Sequence, residues 1–110
     1  MVDAATYRDA FAPAVPAGLR AFVDGSRITL LWTPNNERDL VGYHVWRRET
    51  GGEWQRLTPA PLPSATHTDT SAPAGVRQEY AITAIDRADP PNESERSIAA
   101  AAEAAEAAAE

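Results

Sequence analysis

The chain has 110 residues, no cysteine and a formal net charge of −6. That length holds one domain with short arms, burying about 65% of its unfolded surface around a single core. The missing cysteines exclude disulfides and thiolate metal sites, and the acidic balance argues against nucleic acid and anionic lipid, which both need a basic patch.

Part of the acid excess sits near the C-terminus, at Glu103, Glu106 and Glu110, so the remainder is nearer neutral. All ten basic residues are arginine and alanine is abundant, a bias that suits a GC-rich bacterial genome. No apolar run approaches the roughly 20 residues of a membrane span. Met1-Val2-Asp3 lacks the basic start and apolar run of a signal peptide.

Residues 1–16 show no sustained period, and Pro13 and Pro16 favour extended backbone. They are expected to form an extended linker arm lying on its own domain. Within the arm, residues 4–12 suit a short helix or an edge strand, with Tyr7 and Phe11 spaced i, i+4.

From Leu19 the pattern is β. Residues 19–23 predict a first strand, Asp24-Gly25-Ser26 a turn, and residues 27–33 a second strand that buries Ile28, Leu30 and Trp32 and stops at Pro34. After a polar loop, residues 42–49 predict a third strand. Period-two alternation puts Tyr43, Val45 and the Arg47 stem on one face and His44, Trp46 and Arg48 on the other. Thr50-Gly51-Gly52 predicts a hairpin turn into a short strand over residues 53–57.

Pro59, Pro61 and Pro63 then break the ladder. Residues 66–69 predict a brief strand, and residues 70–75 a corner. Residues 76–86 give the longest alternation, with Tyr80, Ile82 and Ala84 inward and Glu79, Ala81 and Thr83 outward. A last edge strand is expected over residues 96–102. Alanine resists this, being a poor strand former and the best helix former, so residues 99–110 also suit a frayed helix with Glu103, Glu106 and Glu110 along one stripe.

Short strands joined by turns, with no helix between them, predict an all-β antiparallel sandwich. The expected domain covers residues 17–102, followed by an Ala/Glu-rich tail over 103–110 that is helical or disordered.

Several segments carry a resemblance in order along the chain. They are Pro16-x-Gly18-Leu19, Ile28-x-Leu30-x-Trp32-x-Pro34, Asp39-Leu40-x-Gly42-Tyr43-x-Val45, Gly75, Tyr80-x-Ile82-x-Ala84-x-Asp86 and Asn92-Glu93-Ser94-x-x-Ser97. Together they resemble the fibronectin type III family from about Pro16 to Ile98. The resemblance implies an immunoglobulin-like, seven-stranded, antiparallel Greek-key β-sandwich with Trp32 and Tyr43 in the core. It also implies a module usually strung in tandem in secreted or cell-surface proteins. The Phe11-Ala12-Pro13-Ala14-Val15-Pro16 stretch is similar to the connector entering such modules in bacterial extracellular proteins.

Two positions depart from the family pattern. The tyrosine expected three residues after the corner glycine is Gln78, so the corner must be closed by that amide, by Tyr80 or by water. The terminal strand lacks the usual valine and threonine pattern. The Arg-Gly-Asp tripeptide is absent, so an integrin ligand is not implied.

No nucleophile elbow, phosphate-cradling glycine loop or paired carboxylates stand out, so no catalytic residue and no cofactor is expected. His67-x-Asp69 offers two metal ligands on one strand face, whereas zinc takes three or four. Asp86, Asp89, Glu93 and Glu95 share one loop that could attract calcium, but prolines stand where a calcium loop needs its glycine bend. Asn92-Glu93-Ser94 fits a glycosylation acceptor and is expected to stay unmodified.

Trp46, Arg48, Trp54 and Arg56 form the candidate partner-contact face. Exposed aromatics beside arginines suit a protein-contact hot spot or a sugar-stacking platform. The same residues also suit a cross-strand cluster that covers its own sheet.

The expected function is a non-catalytic spacer and protein-interaction module within a larger extracellular or periplasmic bacterial protein. Its partners would be neighbouring domains of the same chain and another protein. An accessory carbohydrate-binding module of a polysaccharide-degrading enzyme is the alternative.

Overall fold

A computed structural model describes residues 12–106. Seven strands follow one another without a helix among the described residues. They are β1 (Ala17–Asp24), β2 (Arg27–Thr33), β3 (Leu40–Glu49), β4 (Gln55–Arg56), β5 (Thr66–Asp69), β6 (Arg77–Asp86) and β7 (Ala100–Glu103). One sheet has the order β1-β2-β5 and the other β4-β3-β6-β7. Every pairing is antiparallel. The result is the expected seven-stranded, immunoglobulin-like sandwich.

The core follows the period-two pattern. Ile28, Leu30 and Trp32 of β2 meet Tyr43 and Val45 of β3 and Tyr80, Ile82 and Ala84 of β6, all buried. Trp32 packs edge-on to Tyr43, with ring centroids 5.2 Å apart and planes at 77°, an arrangement the aromatic quadrupoles favour. The Tyr43 hydroxyl accepts the Asn35 N–H at 2.7 Å, fixing the loop after β2. The Trp32 indole N–H is buried with no partner among the described residues.

Two glycines are required by geometry. Gly18 sits at φ +74° where the β1–β2 register shifts, and a Cβ there would lie 2.6 Å from Thr33 Oγ1. Such a bulge with left-handed backbone selects glycine. A Cβ on Gly42 would lie 2.3 Å from the Leu62 carbonyl oxygen, because Leu62 pairs with Tyr43 through two backbone bonds of 2.8 and 2.9 Å.

Several element bounds differ from the expectation. β1 is longer than 19–23, and β4 keeps only two paired residues of 53–57. Past β4, the β3 edge is bonded by Leu57 N–H, the Thr58 hydroxyl and Leu62, with residues 59–61 looped between the last two. β7 begins at Ala100, later than residue 96. The reason lies along the free edge of β6. The Ser94 and Ser97 hydroxyls accept the Ala84 and Ile82 N–H groups at 2.9 Å each, and their own N–H groups donate to the same residues' carbonyls.

Only after those serines does the chain pair regularly, Ala100 to Tyr80 through Glu103 to Arg77. Alanine's helix preference loses here because β6 offers a ladder of unpaired backbone groups. Packing also runs past residue 102: Ala104 is buried, its carbonyl accepts Gly75 N–H, and Ala105 N–H donates to Gly25. Residues 104–106 are not helical; the remaining four tail positions lie outside the described residues.

At the other end, Ala12 to Pro16 lies against the sandwich, with Pro13 and Pro16 buried. Ala14 donates its N–H to Glu37 Oε2 at 2.8 Å, and its carbonyl accepts the Asn35 amide at 2.7 Å. Both main-chain groups of one residue are therefore held by the β2–β3 loop. The expectation for Tyr7 and Phe11 falls outside the described residues.

Candidate functional site

Each polar cluster singled out in the sequence can be followed to its partners. Asp69 is buried and accepts four hydrogen bonds: from Tyr80 Oη (2.6 Å), Arg47 Nη1 (2.9 Å), Ser71 N (2.9 Å) and Ser71 Oγ (2.8 Å). Burial pushes its carboxyl up, but these donors together hold it below the ordinary value. His67 is half-buried, and burial pulls its pKa down against the opposing pull of Asp69. The Asp69 carboxylate is thus committed to the protein's own donors.

Asp86 behaves the same way. Its carboxylate accepts Ala88 N–H, Asn92 N–H and the Asn92 side-chain amide at 2.8–3.1 Å, closing the β6–β7 loop. Burial raises its pKa, and those bonds outweigh it. Ser94 Oγ is committed to Ala84, so both polar ends of the Asn92-Glu93-Ser94 acceptor serve the fold. Among the described residues no three His, Asp or Glu side chains converge as a metal-binding group. At the corner, Gly75 N–H donates to the Ala104 carbonyl at 2.8 Å, and Gln78 is buried with one weak bond to the Val76 carbonyl at 3.4 Å. Tyr80 is occupied by Asp69 instead.

The outer face of the four-stranded sheet gathers most of the candidate contact residues. Trp46 stands opposite Ala81 of β6 on one side and Arg56 of β4 on the other. Arg48 stands opposite Glu79 and pairs with it at 2.7 Å. The Arg48 guanidinium lies 4.5 Å from the centre of the Trp54 ring. A residue not anticipated joins them: Arg96 lies 5.6 Å from the Trp46 ring and 5.3 Å from Trp54. Both tryptophans are half-buried, and stacked arginines are attracted to their ring faces.

The alternation predicted Ala81 and Thr83 outward, and His44 beside Trp46. All three do face that side, yet they are buried, at 0%, 2% and 6% exposure. Side chains crossing the sheet cover them. Trp46 Nε1 donates to Thr83 Oγ1 at 3.0 Å, and Thr83 Oγ1 donates to Glu93 Oε2 at 2.6 Å. His44 Nδ1 bonds Thr58 Oγ1 at 2.7 Å, and burial, helped by Arg56, lowers its pKa.

Period two could find the pairs Arg48–Glu79 and Trp46–Ala81. It had no signal for Thr58, Glu93 or Arg96, which arrive from segments outside the regular strands.

An immunoglobulin-like sandwich whose buried Asp69, Asp86, Ser94 and Ser97 are spent on its own backbone and sheets is the class defined here. Within that class the chain is a fibronectin type III-like domain, by its fold, its motif order and its likeness to a solved relative. A solved Fn3-like protein from Clostridium thermocellum superposes with a TM-score of 0.70 and 28% identity, covering 82% of this chain and 91% of that one. The spore cortex lytic enzyme SleM of Clostridium perfringens contains a similar fold (TM-score 0.61, 28% identity), matching 80% of this chain and 28% of that one. In sequence, 91 residues are 30% identical to an amylopullulanase of Thermoanaerobacterium saccharolyticum. That match takes in 83% of this chain but 7% of the amylopullulanase. No family model matches the chain. No helix among the described residues is long and apolar enough to cross a membrane.

Proposed function

We propose that the domain is a non-catalytic spacer and interaction module of a larger polysaccharide-degrading protein. The carrying observation is its similarity to 7% of an amylopullulanase, a single small unit within a long chain. The geometry supports the same reading. The carboxylates of Asp69 and Asp86 and the ring of His44 are engaged in holding loops and sheets, which leaves the acid–base work of hydrolysis to another domain. The arm at Ala14 is fastened to the β2–β3 loop by two bonds, as suits a spacer whose entry is held against its own sandwich.

The module is placed outside the cytoplasm, extracellular or periplasmic. Polymers of the kind an amylopullulanase is named for do not cross a membrane intact, which supports a site of action on the outer side.

Removing the module from its parent polypeptide tests the proposal. Turnover of a small soluble substrate should be unchanged, while degradation of the polymer should fall. Hydrolysis of glycan by the isolated domain, or a natural gene product consisting of this domain alone, would overturn it.

A further inference from the structure

One part of the outer face sets groups that hold the fold beside charged groups that do not. Trp46, Thr83, Glu93, Ser94, Glu95 and Arg96 line a concavity of about 330 Å³ beside the β6 edge. Its base is rigid. Ser94 and Ser97 fasten the 94–97 segment to Ala84 and Ile82, and the chain Trp46 Nε1–Thr83 Oγ1–Glu93 Oε2 fixes the indole and one carboxylate oxygen.

Its rim is different. Among the described residues Arg96 makes no hydrogen bond or ion pair, only the two ring contacts. Among the described residues the Glu95 carboxylate accepts no hydrogen bond, and Glu93 uses a single oxygen. Uncommitted acceptors and donors of both signs therefore surround an aromatic face, without pairing to one another.

We infer that this concavity binds a neutral oligosaccharide, with a sugar ring against Trp46 and its hydroxyls bonded by Glu93, Glu95 and Arg96. Hydroxyls are both donors and acceptors, so they satisfy carboxylates and guanidinium together. The apolar face of a pyranose suits an indole. Two carboxylates against one guanidinium disfavour a polyanion. The inference rests on the module reading above and deepens it by naming what the outer face touches.

The test is titration of the 110-residue protein, followed by tryptophan fluorescence and calorimetry. The probes are α- and β-linked glucose hexasaccharides, with a galacturonate oligomer as the anionic arm. Saturable binding of a neutral hexasaccharide is expected. Glu95→Gln should weaken it at least tenfold without shifting the melting temperature, and Arg96→Ala should do so with only the small fall that losing its ring contacts brings. Trp46→Ala should abolish it, with melting checked because that indole covers Ala81.

Three results overturn the inference. The first is no neutral sugar bound at millimolar concentration, the second is preference for the galacturonate oligomer, and the third is unchanged affinity in Arg96→Ala and Trp46→Ala. In the first case the module reading still stands if deleting the domain alters polymer degradation. In the third, sugar binding persists but lies elsewhere.

Discussion

Tyr80 of β6 donates its hydroxyl to Asp69 of β5 across the gap between the two sheets, at 2.6 Å. Arg47 of β3 reaches the same oxygen at 2.9 Å, its side chain 16% exposed against 2% for Asp69. A charge this deep is tolerated only because its partners are complete. Removing one partner should therefore cost more than the bond itself. Asp69→Ala, which strands Arg47, is expected to lose about 3–5 kcal/mol, and Tyr80→Phe about 1–3 kcal/mol. Urea denaturation measures both, and a loss under about 1 kcal/mol for Asp69→Ala would show the clamp to be incidental.

The same pair sets two pH limits. The folded pKa of Asp69 lies below its ordinary value, so its stabilisation is fully present above about pH 4 and lost as pH falls through the folded value. Asp86 adds to the same acid limb. Tyr80 is pushed well above its ordinary value, by burial first and Asp69 second, so its contribution holds below about pH 10 and fades in stronger alkali. Denaturation midpoints should fall at both ends. Asp69→Asn should flatten the acid limb in part, leaving the share due to Asp86.

Ser94 and Ser97 act as substitutes for a strand. Replacing either with alanine leaves the N–H of Ala84 or Ile82 without its partner inside the sandwich. The expected cost is about 1–3 kcal/mol each. Amide exchange gives the specific signature: Ile82 should lose protection in Ser97→Ala, and Ala84 in Ser94→Ala. Unchanged protection of those two amides would mean that the backbone bonds alone hold the segment.

Trp32 separates volume from polarity. Trp32→Ala should cost about 3–5 kcal/mol, close to the stability of a small domain. Trp32→Phe should cost less than its lost volume implies, because the buried indole N–H, unpartnered among the described residues, goes with it. Trp46→Ala, on the half-buried outer face, should fall well below Trp32→Ala in the same assay.

The inward residues of β2, β3 and β6 were legible because side-chain alternation and turn glycines are local properties. Ile28, Leu30, Trp32, Tyr43 and Tyr80 needed nothing beyond period two. Trp46, Arg48, Trp54 and Arg56 were legible as an outer face for the same reason.

The partners from irregular segments were not legible. Ser94 and Ser97 read as loop residues until the β6 edge supplied the N–H groups they accept. Arg96 reaches both tryptophans only because those serines hold its segment against the sheet. The alanines of β7 carry a helical preference that the open ladder of Arg77 to Tyr80 overrides. Sequence alone determined which residues turn inward, since that depends on neighbours along the chain. Tertiary structure decided which polar groups are spent on the fold and which stay uncommitted around Trp46, since that depends on segments meeting across it.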